Sequence, residues 1–304
     1  MKALQRSLFV LPLALGLCVA LGGCDKLGLG KKKGDESAGT EGGQRGAPAG
    51  PLQKAPAPEW QADGKVKLGK AEGTFMVTEK LGLDLALRPT PKGTKVTSGT
   101  KQELTTMDGM QALLEVDVAE ALGKLSPEEA FDYKSQWKSG VKFTVALGGY
   151  EPVELEAPGI SPRYGLTRAL EGVKNRGVSF GKESDAPSRE HTVVYLAGLD
   201  AKVIGPAKTL VEVDWIGVQE DLPGRRGKTC EGYKDNKGGT TKSLPLEQVD
   251  RNIVIYERKT AKEITRKKFD ASSDCPMFAL GDTAKTYPDD SAIESWLRGE
   301  RAKK

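Results

Sequence analysis

Histidine occurs once in the 304 residues and cysteine four times, and the one long apolar run is confined to the N-terminal two dozen positions. Each scarcity closes a line of chemistry. A Ser-His-Asp arrangement would have to take the lone His191 as its general base, and no nucleophile is singled out to go with it. Beside Glu190 at the mouth of an apolar strand, a histidine serves structure. Cys230 and Cys275 have no neighbouring histidine and no Cys-x-x-Cys spacing, which argues against a metal centre or a redox pair. Gly227-Lys228-Thr229 is the end of a phosphate loop without its beginning, because Leu222 stands where the motif needs glycine. No repeat with a period of about 20–50 residues is evident.

What is abundant is charge, and it is mixed. Lysine and arginine alternate with aspartate and glutamate, leaving a net +4 without a basic stripe, so no nucleic-acid partner is expected. The most crowded carboxylates are Glu220-Asp221 and Asp289-Asp290. A hydrolytic pair must be held about 5–9 Å apart, and neighbours on a strand point to opposite faces. A solvated strand end and a helix cap account for the two pairs, and neither has the form of a calcium loop. Trp60, Trp137, Trp215 and Trp296 are scattered at positions a core would use. No catalytic residue, metal ligand or cofactor is nominated.

The first 24 residues are more specific. A basic start, an apolar run of about 14 residues over 8–21 and small residues before a cysteine make a secretory signal. The run is shorter than the ~20 residues a spanning helix needs, and Pro12 and Gly16 interrupt it. Its ending, Leu21-Gly22-Gly23-Cys24, resembles the lipobox of bacterial lipoproteins. The resemblance implies cleavage before Cys24, a diacylglycerol on its thiol, and attachment to a bacterial membrane with the folded part on the exported side. At ~0.8 kcal/mol per buried CH₂, two or three acyl chains hold a protein without any spanning helix. Asp25 resembles the inner-membrane retention signal of enteric-type bacteria; other groups read different signals, so inner and outer membrane both stay open.

With Cys18 removed in the signal and Cys24 acylated, Cys230 and Cys275 remain as an even pair in an exported chain, where disulfides form and persist. Closing that loop would constrain the unfolded chain by about 4 kcal/mol on the entropy model. The stretch from Cys230 to Pro276 also resembles a disulfide-stapled β-module of bacterial exported proteins.

Four segments follow: a signal peptide over 1–23 and an acylated cysteine with a flexible linker over 24–58, the cleavage point and the acylation being what the lipoprotein resemblance implies, then an N-terminal mainly β part over 59–185 and a C-terminal disulfide-stapled part with a terminal helix over 186–304. The linker is rich in Gly, Pro, Ala, Lys and Glu, too polar to offset its ordering entropy. As a coil of about 34 residues its r.m.s. reach is ~30 Å. The boundary falls in the polar stretch 181–189, although a single continuous body would show the same dip.

Alternation predicts strands over 65–78, 83–87, 113–118, 141–147, 191–196 and 209–218, with a hairpin over 252–258 and 263–269. Arg88-Pro89-Thr90-Pro91 should end the second of these. Residues 178–180 make a further short strand, and 221–228 a charged loop leading to Cys230. Helices are expected at Ser126-Pro127-Glu128-Glu129, from Leu166 to Val173, and over 291–298, the last capped by Asp290 or Ser291 and stopped by Gly299. The fold class is α+β, mainly antiparallel β with a few short helices behind a disordered tether. The expected role is a non-enzymatic accessory or interaction module of the cell envelope, with an unidentified envelope protein as partner. An envelope hydrolase with an unfamiliar site, or a carrier of a small apolar ligand, are the alternatives.

Overall fold

The computed structural model describes residues 50–304 apart from 100–109, 158, 182–189, 199, 235–240 and 304. Strand outweighs helix, 43% to 16%, so the packing of sheets decides the architecture, and most of the pairing is antiparallel. The first sheet is a meander of β1 (Glu59–Trp60), β2 (Lys65–Leu68), β3 (Ala71–Val77) and β4 (Gly82–Thr90). Beyond β5 (Lys95–Thr97) it is completed by β6 (Met110–Asp117), in the order β1-β2-β3-β4-β6. Period-two alternation puts Val66, Phe75, Leu83, Leu85, Leu87, Ala112 and Leu114 inside, each at most 7% exposed. Contrary to expectation, β4 continues through Pro89. The ladder to β6 skips between Leu87↔Ala112 and Thr90↔Met110, so the missing proline N–H falls at a bulge.

The chain then forms α1 (Ala119–Gly123), which alternation did not reveal, and α2 (Pro127–Phe131). Ser126 accepts from Glu129 N at 3.1 Å, the cap its position implies. Next come β7 (Lys142–Ala146) and β8 (Val153–Glu156), which join β5 in a second sheet, and α3 (Arg163–Glu171). At Gly165 a side chain would collide with the Val77 carbonyl, so glycine lets α3 lie against the end of β3.

The third sheet contains β9 (Val193–Ala197), β10 (Asp200–Ile204) and β11 (Trp215–Asp221). After β12 (Arg225–Lys234) and β13 (Thr241–Gln248) it gains β14 (Arg251–Glu257) and β15 (Glu263–Phe269), in the order β10-β9-β11-β14-β15. The β14–β15 hairpin is the one expected. The central strands of this sheet are buried on both faces, which is why β9 and β14 read as continuous apolar runs. Val194, Leu196, Val254 and Tyr256 belong to the core shared with the first two sheets. Val193, Tyr195, Ile253 and Ile255 form a second core beneath α4 (Asp290–Arg301). A single apolar cluster thus contains residues from both sides of the polar stretch 181–189. Among the described residues no helix is long and apolar enough to cross a membrane.

Several local expectations are corrected. Residues 209–213 are not strand: Leu210–Glu212 is a 3₁₀ turn, with Glu212 accepting from Lys208 N at 2.6 Å and Thr209 N at 3.3 Å. Residues 178–180 are irregular, because their backbone bonds elsewhere. Val178 N donates to Arg258 O, and the buried Arg258 guanidinium donates to the carbonyls of Val178, Val213 and Val211. The charged loop over 221–228 is shorter than expected, since β12 begins at Arg225 and pairs with the unforeseen β13. Helix α4 begins at Asp290 under an Asp289 cap and passes through Gly299 to Arg301. Its Glu294 pairs with Lys202 of β10. Part of the stretch read as linker is also placed: Gln53 bridges Tyr150, with Gln53 N on Gly149 O at 3.0 Å and Glu151 N on Gln53 O at 2.8 Å.

Candidate functional site

The fourth sheet sets apart the most unusual surface. Strand β12 pairs antiparallel with β13, and β13 pairs parallel with β16 (Ala284–Thr286). Its core is small: Cys230, Leu244, Leu246 and Ala284, with Tyr233 and Ala279 packed against them. Cys230 is bonded to Cys275 at a Cα separation of 5.6 Å. The pairing expected from the cysteine count is therefore present, and it points to an oxidising, extracytoplasmic setting. Tyr233 Oη donates to the Pro276 carbonyl at 2.6 Å, a second tie between the strand and the segment after the bridge.

Immediately beyond that tie stand Met277, Phe278 and Leu280, 85%, 81% and 96% exposed, the three most exposed large apolar side chains among the described residues. Burying such side chains contributes about 1.5–3 kcal/mol each, so exposure on a doubly tied loop leaves a large contact energy unused. The neighbouring strand is cationic: Arg225, Arg226, Lys228 and Lys234 are exposed on β12, with Lys242 opposite Tyr233 on β13. Two register shifts interrupt the β12–β13 ladder. The bulges and the cations together blunt a ten-residue edge strand against pairing with another strand.

A second feature lies on the outer face of the first sheet. Asp84 and Glu115 are directly opposite across β4 and β6, with Met76 on the other side of Asp84. Gly82 leaves room for the Glu115 side chain, which occupies the space a Cβ would take. Burial, and then the neighbouring Glu115 carboxylate, push the Asp84 carboxyl up to about 6. Its Oδ1 is buried without a hydrogen-bond partner. Two carboxyls so placed can share a proton, one acid and one base. Beside them is a groove of about 500 Å³ lined by Thr74, Met76, Ala86, Arg88, Gln111 and others.

The residues weighed from sequence are dispersed. Cys24 lies outside the described residues. His191 stacks on Trp215 at 4.1 Å with its Nδ1 3.5 Å from Asp214 Oδ2, and that carboxylate accepts from Thr192 N. One serine escapes the sequence reading: Gly177-Val178-Ser179-Phe180-Gly181 has the Gly-x-Ser-x-Gly spacing. The motif requires a strand–turn–helix, and this segment is irregular and pinned by Arg258. Glu220 goes to Arg266 at 2.9 Å and Asp221 to Arg251 at 2.8 Å, so these neighbours do not converge. Asp289 caps α4, accepting from Ser291 N at 2.9 Å. Gly227-Lys228-Thr229 is part of β12. The four tryptophans do not gather into one surface: Trp60 meets Phe75, Trp137 is buried, and Trp215 and Trp296 pack against the second core, Trp215 stacked on His191 and Trp296 against Phe269. Among the described residues no group of three or more His, Cys, Asp or Glu could hold a metal ion.

Sequence reasoning passed over Asp84 because an acid on the outer face of a strand looks solvated, and its cross-strand partner depends on register. The apolar loop left a weak trace, four apolar residues between Pro276 and Gly281, too short for any periodicity. Comparison with protein-family models, with curated proteins and with solved structures finds no match to this chain.

Proposed function

We propose that the protein is a lipid-anchored lipoprotein of the bacterial cell envelope that acts as a non-enzymatic accessory or interaction module. The observation that carries this reading is the loop of Met277, Phe278 and Leu280, held by the Cys230–Cys275 bridge and exposed above 80% at each large side chain. A disulfide-stapled apolar projection is built for contact. The lipobox-like Leu21-Gly22-Gly23-Cys24 supplies the anchor, and the oxidised cysteine pair agrees with export. Cross-linking in native membranes followed by mass spectrometry, comparing the parent with Cys24→Ser, tests the role. The expected result is a small reproducible set of envelope neighbours that is lost with the anchor. The same background of neighbours in both forms would remove the proposal.

A hydrolase is the second reading, favoured by the Asp84–Glu115 pair beside its groove. It requires a hydrolytic activity that Asp84→Asn abolishes without lowering the melting temperature. Retained activity in that variant dismisses this site.

A further inference from the structure

We infer that the 275–281 loop and the cationic strand beside it form a second membrane contact, seating the folded body on an anionic bilayer surface. The inference rests on the reading of Cys24 as a lipid anchor.

Three observations converge on a bilayer as the occupant. The first is shape. Met277, Phe278 and Leu280 project almost fully from a loop fixed at one end by the disulfide and by Tyr233 Oη on the Pro276 carbonyl. A convex, apolar tip enters a fluid phase without a complementary pocket, whereas a folded partner would have to supply one. The second is charge. Arg226, Lys228, Lys234 and Lys242 are exposed on the same hairpin, against Glu231 on β12 and Asp274 and Asp282 at the ends of the loop, while Glu247, opposite Arg226 on β13, is paired with Lys285 of β16 at 3.1 Å. An apolar insertion flanked by an excess of cations is the combination that holds proteins in the interface of anionic membranes, with each basic residue worth about a fivefold gain in binding. The third is proximity. On the reading of Cys24 as the anchor, 25 residues separate it from Gly50, where the described body begins, so contact with the bilayer is intramolecular in effect and even a weak one is populated. The same strand is bulged and charged against sheet extension, which makes the loop and its cations the usable part of this edge.

The test uses the full mature protein in vesicles, with Phe278→Trp as a reporter. That side chain is 81% exposed, so the substitution leaves the core untouched, and an unchanged melting temperature verifies this. The signal of the native tryptophans is subtracted with the parent protein. In vesicles of phosphatidylglycerol, the iodide quenching constant of the introduced indole should fall severalfold, and brominated acyl chains should quench it. In phosphatidylcholine, or with Lys228→Glu, Lys234→Glu and Lys242→Glu combined, most of that protection should be lost. Intact mass of the same sample reports the acyl groups on Cys24. Lipid on Cys24 with a reporter equally open to iodide in every vesicle overturns the inference and leaves the anchor standing. A protected reporter on a chain without that lipid removes the anchor and keeps the contact. A photocross-linker at position 278 that captures an envelope protein and no lipid assigns the loop to a protein partner, and also overturns it.

Discussion

Asp84 faces a second carboxyl across two paired strands, and its position decides both its protonation and its cost. Like charges directly opposite on a sheet destabilise it. The carboxyl is held near 6 in the fold against 3.8 as the reference value, so the native state binds this proton more tightly than the unfolded chain does. Stability therefore falls as pH rises from about 3.8 through about 6, and the deficit is complete above that window. Asp84→Asn removes the titration and keeps a donor toward Glu115. With solvent screening of a half-exposed side chain taken into account, the variant should gain about 1 kcal/mol at neutral pH. That corresponds to roughly 2–4 °C in melting temperature. The gain should shrink as pH falls through 6 and vanish near 4. A difference that stays constant across this range would mean that Asp84 does not titrate as its surroundings imply.

Elements with one buried face, or buried on both faces like β9 and β14, were legible in the sequence; those exposed on both faces were not. Strands β3, β4 and β7 alternate because one face meets a core and the other meets water. The fourth sheet has no such contrast. Most of β12 is exposed on both sides, so Arg225–Lys234 reads as charged loop, and β13 carries Pro245 in mid-strand. Between Thr209 and Val213 the apolar run has strand composition, but Glu212 caps its own turn and local hydrogen bonding wins. The disulfide was readable from cysteine parity once Cys18 and Cys24 were assigned, while the apolar loop it presents was not, because exposure has no sequence period. This module has four residues in its buried core, so it depends on its bridge. Cys275 is exposed to reductant although Cys230 is buried. Reduction removes a constraint across 45 residues, about 4 kcal/mol on the entropy model, and should lower the melting temperature of the protein. Identical melting with and without reductant would mean that the bridge is incidental to stability.

For the molecule as a whole, the decisive fact is that the largest apolar cluster draws on the first, second and third sheets together. Leu83, Leu85 and Leu87 of β4 belong to the same cluster as Phe143 of β7 and as Val194, Ile216 and Val254 of the third sheet. A shared core couples the stability of the strands around it, whichever side of residue 185 they come from. Truncating a fully buried leucine costs about 2–5 kcal/mol and leaves a cavity, with a buried valine costing somewhat less. Leu85→Ala and Val254→Ala, both at 0% exposed positions, should therefore each lower one and the same calorimetric transition. At roughly 2–4 °C per kcal/mol for a body of this size, the shifts are large enough to separate from noise. The calorimetric and van't Hoff enthalpies of that transition should agree, as they do when a structure melts as a unit. Two transitions, each sensitive to only one of the substitutions, would instead divide the protein at 185 into independently folding halves, and the core that joins the sheets would then be packing between domains.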